Sequence, residues 1–60
     1  MSKDDLEFIE IVSALGQAKL QKAVVELTKD RKFDEARLTL LVIQDLEKVY
    51  KIVEKAKKHE

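Results

Sequence analysis

The stretch LTLLVIQDLEKVYKIVEKA, residues 38–56, decides the fold. Within it Leu38, Val42, Leu46, Val49, Val53 and Ala56 recur at alternating spacings of four and three, which is the heptad seam of a packed α-helix. Leu41 and Ile52 widen the seam on one side, Ile43 and Tyr50 on the other. At 100° per residue the apolar arc spans about 200°. One antiparallel neighbour covers a stripe of about 100°. The excess width therefore predicts a further neighbour, most simply a second copy of the chain that closes a four-helix bundle about a two-fold axis.

Upstream of this arm, Lys29-Asp30-Arg31-Lys32 is charged and free of apolar residues, which predicts a turn over residues 30–33. Asp34 is the expected N-cap of a helix over 34–58, with Phe33 and Leu38 spaced as a hydrophobic staple. The first arm, a helix over 3–29, opens on Ser2 as N-cap with acidic residues in its first turn, where they favour the positive end of the helix dipole. Its apolar residues form two stripes. Phe8, Ile9, Ile11, Val12 and Leu15 make one, and Leu20, Ala23, Val24 and Leu27 make another, rotated by roughly a quarter turn.

The rotation falls at Gly16, the only glycine. A glycine inside a helix costs about 1 kcal/mol relative to alanine, so it needs a reason. Either it breaks the arm and makes three helices, or the arm is continuous and Ala14, Gly16 and Ala18 mark the close approach of another helix. Continuity is preferred, because none of the Pro, Asn or Asp neighbours of a true turn stands beside Gly16. The fold class is thus all-α, a single antiparallel helical hairpin over residues 1–60 that dimerises. Charge agrees with the antiparallel orientation: folding about the turn brings Asp4, Asp5, Glu7 and Glu10 toward Lys51, Lys55, Lys57 and Lys58.

Composition narrows the function. With 60 residues, no cysteine and one histidine, neither disulfides nor a histidine-rich metal site can support so small a core, and association is the remaining support. Twelve basic residues balance twelve acidic ones, so no overall field draws the chain to nucleic acid or a membrane. The acidic N-terminus is unlike a signal peptide, no apolar run is long enough to span a bilayer, and a cytoplasmic location is expected. Abundant Lys and Glu with few amides is a bias shared with heat-adapted proteins.

Asp45 falls inside the edge of the apolar arc, opposite the Ala18 to Lys22 region. It is expected to be a partly buried carboxylate that sets register by pairing with Lys19 or Lys22, or with Gln21, rather than a catalytic group. Glu7 and Glu10 lack the Glu-x-x-His companions of a bundle metal site, and His59 lies in the terminal tail, so no metal or cofactor is expected. Ser2, Ser13, Thr28 and Thr39 have no base beside them, which argues against an enzyme. Lys19, Lys22, Arg31, Lys32 and Arg37 cluster toward the turn. A hairpin dimer resembles in architecture the four-helix hairpin dimers that bind RNA, and that resemblance implies RNA or DNA as the alternative ligand. No aromatic interleaving supports it, and Phe8, Phe33 and Tyr50 suit packing better.

The expected function is a non-enzymatic interaction module: a homo-oligomeric bundle, dimer favoured, acting as adaptor, small regulator or assembly subunit. A heterologous protein is a further candidate partner. The expected self-association surface comprises Phe8, Val12, Leu15, Leu38, Val42, Leu46, Val49, Tyr50 and Val53.

Overall fold

A computed structural model describes residues 2–59 of the chain, and in it two helices follow one another: α1 (Lys3–Lys29) and α2 (Phe33–Lys58). They pack along their length as an antiparallel hairpin 45 Å long and 13–14 Å across. Ser2 caps α1, its hydroxyl accepting from the Asp5 N–H at 3.2 Å, so one orphan donor of the first turn is satisfied. The helix runs unbroken through Gly16. A Cβ on Gly16 would lie 3.1 Å from Leu46 Cδ1, so the missing side chain is what lets α2 approach here. Ala14 and Ala18 are exposed and do not share that role.

The turn is tighter than the sequence suggests. The Arg31 N–H donates to the Thr28 carbonyl at 3.1 Å and the Lys32 N–H to the Leu27 carbonyl at 2.8 Å, the two reversed bonds of a Schellman motif. Arg31 stands at φ 59°, the left-handed position that such a motif requires. With those bonds made, Lys32 becomes the N-cap of α2 without a side-chain hydrogen bond, and Phe33 is already helical. Asp34 is therefore a first-turn acid rather than the N-cap. The Phe33–Leu38 staple is not formed either: five helical residues separate them by about 140° around the axis, and both are exposed.

The seam between the helices differs from the one read in the sequence. Leu6, Ser13, Ala36, Ile43 and Val53 are the buried residues, joined by half-buried Leu20, Val24, Leu27, Leu46 and Tyr50. Thr39 also faces the seam, its hydroxyl donating to the Glu35 carbonyl at 2.8 Å, which lets a polar side chain sit there at no unmet cost. The contact thus runs along one edge of the α2 arc, the Ile43–Tyr50 side. Leu38, Val42 and Val49, the middle of that arc, are exposed. On α1 the row toward α2 is Leu6, Ser13, Leu20, Val24 and Leu27, with Glu10 and Gln17 beside it, and this row packs on the Ile43–Tyr50 edge of α2.

Near the open end Lys57 Nζ lies 3.2 Å from Glu10 Oε1, with side chains only 26% and 21% exposed. This is the inter-helix ion pair among the described residues. Lys51 pairs instead with Glu47 of its own helix, at 3.3 Å. The antiparallel orientation expected from charge is present, carried by one pair.

Candidate functional site

Two flanks border the seam, and they differ in chemistry. On one, Gly16 meets Leu46, which marks where the two helices adjoin. Going round from that contact at 100° per residue, α1 presents Ile9, Val12 and Ala23, and α2 presents Val42, Val49 and Leu38. These side chains lie on the same side of the hairpin and make an apolar face, interrupted by Lys19 on α1 and Asp45 on α2. Its rims carry Phe8 and Leu15 on α1 and Leu41 and Ile52 on α2; Phe8 is 68% exposed, Ile52 66% and Leu38 63%. The opposite flank is a shallow groove in which Ala14 and Ala18 lie among Gln17, Gln21, Glu47, Tyr50, Lys51 and Glu54; Val25 and Leu40 are exposed on this flank nearer the turn, and Ile11 is exposed on the outer side of α1.

Single exposed hydrophobics are ordinary on a small protein, whereas an apolar face this long, bordered by charge, is the mark of an interaction surface. The whole chain points the same way. A compact monomer of 6.9 kDa exposes about 4,000 Å², and this one exposes 4928 Å². Its radius of gyration is 13.9 Å, where a compact 60-residue fold has about 10 Å. The surplus surface, roughly 900 Å², is close to the ~800 Å² that each partner contributes to a stable interface.

Of the residues expected at a self-association surface, Phe8, Val12, Leu15, Leu38, Val42 and Val49 are exposed, and all lie on the apolar face or its rims. Val53 is covered by α1 within the hairpin, Leu46 is half-buried at the contact with Gly16, and Tyr50 lines the polar groove on the other flank. Sequence reasoning missed Ile52 and Leu41 as rim residues of this face; they were legible as the widening of the arc.

Asp45 is placed differently from expectation. It is exposed, and among the described residues no ion pair or hydrogen bond joins it to Lys19, Lys22 or Gln21. The cause is again the side of the arc that faces α1: Asp45 lies about 130° round from the inter-helix direction, between Leu41, Val42 and Val49 on the open stripe. It is a lone carboxylate in an apolar surround that the hairpin does not fill.

The turn-proximal cations do not converge. Arg31 and Lys32 are exposed in the turn, Lys19 stands at the rim of the open face, Lys22 lies on the side of α1 away from α2, and Arg37 lies on the side of α2 away from α1. Glu26, Asp30, Asp34 and Glu35 stand among them, and Lys29 lies 4.0 Å from Glu26. Among the described residues no group of three or more His, Cys, Asp or Glu is placed to hold a metal ion, and no helix is long and apolar enough to cross a membrane. No family model, curated protein or solved structure matches this chain.

Proposed function

We propose that this chain is an assembly module whose activity is binding: two copies join through the open apolar face and form a four-helix bundle. The observation that carries the reading is the placement of the hydrophobic residues. Leu6, Ala36, Ile43 and Val53 fill the seam, and Val12, Leu38, Val42 and Val49 lie together outside it, so the hairpin alone leaves a second apolar edge of each helix in water. Covering about 800 Å² per copy at ~25 cal/mol per Å² of apolar area is a large contribution for a fold of this size, whose own core is too small to be comfortably stable. A bundle of this kind serves as an adaptor, a small regulator or a subunit of a larger assembly, and it needs no catalytic group.

Sedimentation velocity over a hundredfold concentration range tests it. The expected result is a species of twice the chain mass that dissociates only on dilution. A single species of 6.9 kDa at every concentration overturns the reading, and an open apolar face on a stable monomer then favours a heterologous protein partner. Binding to RNA or DNA has weaker support, because the basic residues are spread over opposite sides of the hairpin and interleaved with acids.

A further inference from the structure

Resting on the dimer reading above, we infer how the second copy is oriented: the two-fold axis runs along the hairpin, both turns lie at the same end, and α1 of each copy stacks on α2 of the other. Two face-to-face arrangements are open to a hairpin. With the axis along the helices, α1 covers the partner's α2. With the axis across the helices, α1 covers the partner's α1, α2 covers the partner's α2, and the turns lie at opposite ends. The open face distinguishes them by what each brings to the same level.

The levels follow from the hairpin itself. Gly16 of α1 lies beside Leu46 of α2, so Asp45 stands level with α1 position 17, within two residues of Lys19, and the Phe8 to Leu15 rim stands level with Val49 and Ile52. In the same-end arrangement the partner presents its α1 at unchanged height. Asp45 then meets the partner's Lys19, a rim cation with no ion pair among the described residues. Phe8, Val12 and Leu15 come against the partner's Val49 and Ile52, apolar on apolar. Opposite charges meet at the rim and hydrophobics meet within it, which is the pattern that selects partner orientation in helical bundles.

The opposite-end arrangement reverses each match. α2 spans residues 33–58, so Asp45 is at its midpoint and would face the partner's Asp45, two carboxylates in an apolar surround. α1 laid on itself end for end would put Val12 against the partner's Lys19. Asp45, which finds nothing to pair with inside the hairpin, is thereby given a role: it specifies which way round the copies join, and discourages the alternative.

Two measurements test this, and they separate its failure from failure of the dimer itself. The first places a nitroxide label on Lys32→Cys, in the exposed turn, and reads the distance between the two labels by pulsed electron spin resonance. Turns at the same end, one helix layer apart, give a distance below about 30 Å; turns at opposite ends give one close to the 45 Å length of the hairpin. The second is a charge swap. Asp45→Lys and Lys19→Asp should each weaken dimerisation by about tenfold, since each breaks two symmetric pairs, and the double variant should return to within about threefold of the parent. A dimer whose labels lie near 45 Å, or a double variant no better than the singles, overturns the orientation and leaves the dimer standing. Labels that show no second copy at any concentration overturn both.

Discussion

Arg31 occupies the left-handed position that closes the turn, at φ 59°. For an L-residue this region costs about 1–2 kcal/mol, and the two Schellman hydrogen bonds hold it there. Arg31→Gly should therefore stabilise the protein by about 0.5–1 kcal/mol, the relief of strain being partly offset by the greater freedom of glycine in the unfolded chain; urea melts of the two proteins would show it, and an unchanged or lower midpoint would count against the strain. Gly16 is the converse case, a residue whose poor helix propensity is offset by the approach of Leu46. In a Leu46→Ala background Gly16→Ala should gain nearly the full ~1 kcal/mol of helix propensity, and in the parent distinctly less. Equal gains would mean the methyl group does not meet Leu46. Both residues stood out in the sequence to different degrees. Gly16 was visible as the only glycine in a helical pattern, while the conformation of Arg31 was not, because a charged run says that a turn occurs without saying which residue turns. Asp34 misled for a related reason: it is a good capping residue, but the backbone bonds from Arg31 and Lys32 start the helix two residues earlier than Asp34 could.

The two helices illustrate how far periodicity reaches. Their existence, direction and approximate ends follow from the spacing of apolar residues and from Ser2. Which edge of the α2 arc faces α1 does not, because an arc of about 200° offers two seams of similar quality. The choice depends on the partner, and α1 offers Glu10, Ser13 and Gln17 on the side that packs. Glu10 is acceptable there because Lys57 reaches it. The two seams can now be separated by substitution. Val53→Asp places a charge in the seam between α1 and α2, and should cost at least about 3 kcal/mol and remove helix content at every protein concentration. Val49→Asp falls on the open face; it should abolish association while leaving the hairpin its own helix content. Circular dichroism alongside sedimentation reads both, and matching behaviour of the two variants would mean that the faces are not distinct.

For the whole molecule, a large share of the surface is apolar and elongated where a chain of this mass would otherwise be compact. If a second copy covers it, part of the stability depends on concentration, and the thermal midpoint should rise by several degrees for each tenfold increase in protein. A midpoint constant between 1 and 100 µM, on the order of magnitude where such bundles form, would contradict this. Salt should matter little to the midpoint, since the apolar face carries most of the contact and the rim pairs are few.

The closed turn also bears on how the chain reaches its fold in time. From Leu27 and Ala36 near Arg31 to Glu10 and Lys57 at the open end, partners become steadily more distant along the chain, the last pair being separated by 47 residues. Each contact made near the turn shortens the loop that the next must close, so the helices zip outward in a sequence of small entropic steps. Hairpin closure of this kind is fast, on the microsecond scale. The slow event left is the meeting of two copies, and refolding should accelerate in proportion to protein concentration.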